Sequence, residues 1–223
     1  MIILEVLYPE YMNLYGDNGN VKFLEKNIPN LKIIYTNLND KPYFLNNKID
    51  ILYMGPCTES QQEEIAVILN NYKKEIKKII KDGVFILATG NSIEYFGKYI
   101  EKANKNKIGC LGLYNFYSKR IERLRYNENV IEYFKDIKVV GFKNQMSYLC
   151  GKDKQVIRNK ETNKIDFLVD NNLIATYILG PVLILNPVLF DYIMNKKKFK
   201  YNKLFQEDII KAYAKRVEEF EKK

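Results

Sequence analysis

The run Val84-Phe85-Ile86-Leu87-Ala88-Thr89-Gly90-Asn91-Ser92 has the composition of a buried strand that breaks into a helix. That turn exposes one residue at the end of an α/β sheet and sets N–H groups where negative charge develops, so it commonly carries a nucleophile. Here the turn residue is Gly90, and the chain contains no histidine. Hydrolytic mechanisms that use an imidazole as general base are therefore excluded. Of the three cysteines, Cys57, Cys110 and Cys150, only Cys57 is expected near the same end of the sheet. An unassisted thiol is only about 3% thiolate at neutral pH, and Cys57 reads as a small buried residue. Thr89, Asn91 and Ser92 read as caps beside the strand end, with contacts to a small ligand as the alternative. Glu94 reads as a solvated or partner-facing helix residue.

The elements that must position this turn alternate in the manner of βαβ units with a parallel sheet. Met1–Leu7, Leu31–Tyr35 and Ile49–Met54 are strand-like, and a helix with Val21, Phe23, Leu24 and Ile28 on one face follows the first. Glu59–Lys81 is expected as one long helix with Thr58 as N-cap and Gly83 as terminator. Val84–Ala88, continuously apolar, is the expected central strand. Beyond residue 100, Ile108–Tyr117, Lys138–Phe142, Met146–Leu149 and Leu173–Ile178 are strand-like with polar spacers, which predicts antiparallel or mixed pairing. Pro187–Met194 and Lys203–Glu221 are helical, the latter with Leu204, Ile209, Ile210, Tyr213, Val217 and Phe220 at helical spacing. No linker or repeat divides the 223 residues, so one domain over 1–223 is expected.

The net charge of +9 does not by itself indicate a nucleic-acid partner. Five of the 36 basic residues are Arg, and the excess is Lys, the strongly hydrated residue of solvated faces rather than the fork that reads phosphates and bases. The cysteines form no C-x-x-C pair, so no metal site, cofactor or disulfide framework is expected. No membrane span or signal segment is apparent, and a cytoplasmic location is expected.

Several stretches resemble a known family. Leu7-Tyr8-Pro9-Glu10-Tyr11-Met12-Asn13-Leu14-Tyr15-Gly16-Asp17-Asn18-Gly19-Asn20, Ile51-Leu52-Tyr53-Met54-Gly55, Leu111–Tyr117, Val140–Asn144 and Thr176-Tyr177-Ile178-Leu179-Gly180-Pro181-Val182-Leu183 are similar to class I glutamine amidotransferases of the cobyric-acid-synthase-like group, and among these to the glutaminase subunits of lipid II isoglutaminyl synthases. The resemblance implies a three-layer, flavodoxin-like α/β fold. It places the nucleophile position on Gly90 and the general-base histidine position on Leu179, so neither catalytic group is retained. It sets Pro56 and Cys57 after Gly55 where an oxyanion loop rich in glycine is expected, and proline removes a donor there. Gln145-Met146-Ser147 stand in a loop that usually carries another histidine. The family's contact for a substrate carboxylate is left unassigned, since the spacing fits Arg123 and Arg125 alike. The implied partner is a Mur-ligase-like synthetase and the implied ligand glutamine or a small amide; the loop that includes Asn13, Tyr15, Gly16, Asp17 and Asn20 is the candidate interaction element, with a structured turn between the first strand and helix as the alternative. The expectation is a pseudo-glutaminase. Its alternative is an active subunit with a non-standard nucleophile or a base supplied by the partner.

Overall fold

The computed structural model describes residues 1–121, 125–160 and 162–222. Its centre is a seven-stranded sheet formed by β1 (Ile2–Leu7), β2 (Leu31–Thr36), β3 (Ile51–Met54), β4 (Phe85–Thr89) and, from the second half, three strands named below. Strands β5 (Tyr99–Glu101), β6 (Lys107–Gly109), β7 (Phe116–Arg120) and β10 (Ser147–Gly151) form a second, four-stranded sheet. Strands β8 (Tyr126–Phe134) and β9 (Ile137–Gln145) make a nine-pair antiparallel hairpin. Strands β11 (Val156–Arg158), β12 (Ile165–Asp170) and β13 (Leu173–Thr176) complete the main sheet, in the order β11-β12-β13-β4-β3-β1-β2. β2, β1, β3, β4 and β13 are parallel, and β12 and β11 add antiparallel strands at one edge.

The side-chain period of two divides the inner strands between two apolar layers. Ile51, Tyr53, Phe85 and Leu87 face the layer of α1 (Gly19–Asn27), α4 (Val182–Leu185) and α5 (Pro187–Lys197). Leu52, Met54, Ile86 and Ala88 face α2 (Glu59–Asn70) and α3 (Lys73–Lys81). Burial on both faces explains why these strands read as unbroken apolar runs. The fold is therefore the α/β, mostly parallel arrangement that the sequence implies, with mixed pairing in its second half.

Several expectations need correction. The segment 59–81 is two helices, because Asn70 and Asn71 are weak helix formers and the Asn70 side chain donates instead to the Gly109 carbonyl at 2.7 Å. Thr58 caps α2 in a reciprocal box with Gln61, and Gly83 ends α3 at φ +93°. Residues 108–117 are not one strand: β6 ends at Gly109 and β7 begins at Phe116. Residues 173–176 pair antiparallel with β12 and parallel with β4, the mixed pairing expected of the second half. The closing helix α6 (Gln206–Glu221) starts after Leu204 and contains no fully buried residue. It lies along the hairpin, where the Tyr213 hydroxyl donates to the Lys138 carbonyl at 2.8 Å.

Candidate functional site

The loops after β1, β3, β4 and β13 meet at the carboxyl end of the parallel strands, where open α/β sheets bind ligands. Thr89 ends β4 in extended conformation, and Gly90 turns the chain at φ +60°. The elbow expected from the sequence is thus present. Its continuation is a 3-10 helix, Gly90–Phe96, not an α-helix. The segment is enclosed, with all of its residues except Asn91 buried, and its end presses on β7 so closely that a Cβ at Gly97 would stand 2.7 Å from the Phe116 ring.

Gly90 has no room for a side chain. A Cβ there would lie 2.6 Å from Cβ of Pro56 and 2.8 Å from Cδ2 of Leu179. Real Cβ contacts are longer, and the positive φ adds strain of its own for any other residue. The backbone is shaped to present a group, while Pro56 and Leu179, both buried, occupy the space that group would need.

Asn91 and Ser92 do not cap a helix; they tie the elbow to the loop after β3. The Asn91 carboxamide accepts from the Cys57 N–H at 3.1 Å and donates to the Cys57 carbonyl at 2.8 Å. The Ser92 hydroxyl donates to the Gly55 carbonyl at 2.5 Å, and Gln62 donates from α2 to the Asn91 carbonyl at 2.9 Å. Gly55 itself is packed against the Met12 carbonyl too closely for a Cβ. The backbone N–H of Cys57, the donor that Pro56 cannot supply from its own position, is therefore spent inside the protein.

The Cys57 thiol is 3% exposed and lies 3.3 Å from the Tyr95 hydroxyl. Burial, with smaller contributions from Glu94 and Glu59, pushes it up to about 12, which leaves a thiolate fraction on the order of 10⁻⁵ at neutral pH. Glu94 is not a solvated residue. It is fully buried and receives the hydroxyls of Ser118, Ser147 and, at 3.0 Å, Tyr177. Burial raises its carboxyl above the usual range, and its three donors come from β7, β10 and the loop after β13. Glu94 thereby fastens the elbow to the second sheet.

The loop after β1 divides in two. Asn13, Tyr15 and Gly16 are exposed, whereas Asp17 and Asn20 point inward. Asp17 accepts from the hydroxyls of Tyr53 and Thr89 and, at 3.4 Å, from the Gly180 N–H. Burial raises its carboxyl too. Asn20 donates to the Asp17 carbonyl at 3.0 Å and accepts from the Leu183 N–H at 2.8 Å. Thr89 thus serves Asp17 rather than a helix end. Asp17 and Glu94 both spend their carboxyl oxygens on donors of the protein itself.

What remains open is a cavity of about 240 Å³ between Leu14, Tyr15, Glu59, Arg125, Met146 and Leu179. Arg125 sits at its mouth, donating to the Asn144 side-chain oxygen at 2.6 Å and pairing with Glu59 at 3.4 Å. Of the two arginines that the sequence left open, Arg125 lines the site and Arg123 lies outside the described residues. Glu59 and Asn144 were not singled out as site residues, because what brings them together is their contact with Arg125 across the fold. Among the described residues, no group of three or more His, Cys, Asp or Glu could hold a metal ion, and no helix is long and apolar enough to cross a membrane.

Known proteins give this geometry a context. The chain is 25% identical over 193 residues to the lipid II isoglutaminyl synthase (glutamine-hydrolyzing) subunit GatD of Staphylococcus aureus (strain N315), covering 83% of this chain and 79% of that one. It is 27% identical over 223 residues to the subunit of the same name in Streptococcus pneumoniae (strain ATCC BAA-255 / R6), covering 92% and 85%. In structure it is similar to a crystallised glutamine amidotransferase at TM-score 0.58 and 11% identity, covering 87% of this chain and 98% of that one. The PurLQS structure from Thermotoga maritima superposes at TM-score 0.53 and 13% identity with the same coverage, a likeness of fold. Residues 3–185, which include every strand and loop of the site just described, match the CobB/CobQ-like glutamine amidotransferase domain, and the chain belongs to that family.

Proposed function

We propose that this protein is a glutaminase-like subunit that docks on a Mur-ligase-like synthetase, in the manner of the lipid II isoglutaminyl synthase subunits it resembles, without releasing ammonia from glutamine. Amide hydrolysis in a cytoplasmic subunit of this kind needs an attacking group and a proton acceptor at the elbow. Here the acceptor position holds Leu179 and the attacking position holds Gly90. The observation that carries the reading is the collision of a Gly90 Cβ with both Pro56 and Leu179: the reactive groups are missing and their volume is refilled, so the site is packed for another state. Cys57, buried and with its thiol held protonated, offers no substitute.

The remaining cavity favours a second, compatible reading. Arg125 and Glu59 present opposite charges at its mouth, which suits an uncleaved ligand with a carboxylate and an ammonium group, glutamine or a small amide among them. The test of the main reading is reconstitution with the synthetase from the same cell. A stable complex that amidates its substrate with ammonium chloride but not with glutamine is expected. Glutamine-driven amidation would overturn it in favour of an active subunit whose base comes from the partner.

A further inference from the structure

A second cavity, about 760 Å³, lies between the β8–β9 hairpin, β10 and β12 and shares Gln145 and Ser147 with the lining of the site. Its wall contains three buried charged side chains. Lys143 of β9 pairs with Glu132 of β8 and, at 2.8 Å, with Asp166 of β12, and these side chains are 7%, 6% and 3% exposed. Asn159 donates to the second oxygen of Glu132 at 2.9 Å. Among the described residues, one cation thus faces two buried carboxyls. An unbalanced charge in such a place is costly, and breaking a buried ionic group costs more than the group contributes when intact.

The cluster spans a joint. β12 belongs to the main sheet and Lys143 and Glu132 to the hairpin, so the Lys143–Asp166 pair holds one to the other. β9 alternates, and the residue after Lys143 faces the opposite way: Asn144 holds Arg125 over the site cavity, and Phe142 meets the Tyr15 ring edge-on at 6.2 Å. The hairpin is pinned lower down by reciprocal backbone bonds of Phe142 with Leu179, at 3.3 and 2.8 Å, and by Asn186 on Val140. Its outer end, Tyr126–Val130 with Lys143 and Gln145, lines the 760 Å³ cavity, while Asn144 and Gln145 line the site.

We propose that Lys143, Glu132 and Asp166 form a proton-operated clasp: with one proton held between the two carboxyls the outer end of the hairpin is fixed against β12, and loss of that proton loosens it and the Asn144–Arg125 wall of the site. The charge count gives the direction. With one carboxyl protonated the cluster is neutral; with both ionised it carries a buried net charge of −1. Burial, then the hydrogen bond to Glu132, raises Asp166 to about 7. At Glu132 burial acts the same way but is outweighed by Asp166, Lys143 and Asn159, so its carboxyl is lowered. The pair therefore holds one proton between its carboxyls, with Asp166 the raised member. Among the described residues, the other charged ones on this cavity are the exposed Glu128 of β8 and Lys164, whose ammonium lies 4.7 Å over the Tyr126 ring; β10 contributes the neutral Ser147 and Tyr148. A folded value above the unfolded one means that the hold is complete at acid pH and is lost as pH rises through about 7.

Hydrogen exchange of the Lys143–Gln145 amides between pH 5 and 8, corrected for intrinsic rates, tests this in the intact protein. Protection is expected to fall by up to about tenfold per pH unit until pH 7 and then to level, while the Leu179 amide stays protected throughout. Asp166→Asn, neutral at every pH, is expected to abolish the slope. Should that variant not fold, carboxyl-carbon NMR of the unaltered protein decides, with one carboxyl of the pair titrating near 7. Flat protection, an unchanged slope in Asp166→Asn, or two carboxyls that both titrate below pH 5 would overturn the clasp.

Discussion

The Asn91 carboxamide closes both backbone groups of Cys57, accepting from its N–H at 3.1 Å and donating to its carbonyl at 2.8 Å. An amide thus sits against the loop that follows β3, and it belongs to the protein itself. Asn91→Ala is expected to leave both Cys57 groups unpaired in a half-buried site, at a cost of about 1–3 kcal/mol. The check is chemical denaturation with exchange of the Cys57 amide: stability falls and that amide becomes labile. Unchanged exchange at Cys57 would show that the pairing carries no weight.

Gly90 and Leu179 should behave as a coupled pair. Gly90→Ala introduces strain at positive φ and a Cβ 2.8 Å from Leu179, and a loss of about 1–3 kcal/mol is expected. In Leu179→Ala the same change should cost less, because one of the two obstructing side chains is gone. A double-mutant cycle is expected to give a coupling of at least about 0.5 kcal/mol. Additive effects would mean that the obstruction relaxes freely.

The parts legible in the sequence are those whose signals are local. The apolar run Val84–Ala88, the Thr58 cap and the Gly83 terminator all lie within a few residues of the feature they set. Charged residues at interior positions hid the rest. Glu132 in β8 and Asp166 in β12 break the apolar alternation of their strands, and what makes their burial tolerable is Lys143, 11 and 23 residues away. Glu94 reads as a surface helix residue because its hydroxyl donors stand 24, 53 and 83 residues distant. The elbow itself was visible, but that its space had been refilled by Pro56 and Leu179 depends on packing between three loops.

Glu94 should impose a pH dependence. Its carboxyl is raised by burial, so its contribution to stability is complete below the unfolded carboxylate range and is lost as pH rises through its folded value, by at most about 1.4 kcal/mol per pH unit. Glu94→Gln, neutral and close in shape, is expected to flatten the stability profile above about pH 4.5. Thermal unfolding across that range checks it; a variant with the same slope as the unaltered protein would place the titration elsewhere.

Tyr53→Phe should reach the first loop through Asp17. It removes a hydroxyl donated to a fully buried carboxyl and the acceptor of Asn20, at an expected cost of about 1–3 kcal/mol. Proteolysis of the segment around Asn13–Gly16 is expected to quicken, with the cut rate compared at matched stability. No change in that rate would detach the loop from the Asp17 network.

The most direct measurement is ammonia release from free glutamine, made on the purified protein alone and with its synthetase partner, beside Cys57→Ala. No release above the uncatalysed background is expected in either setting. Release by the isolated chain that disappears in Cys57→Ala, or release that appears once the partner is added, would contradict a site without attacker and acceptor.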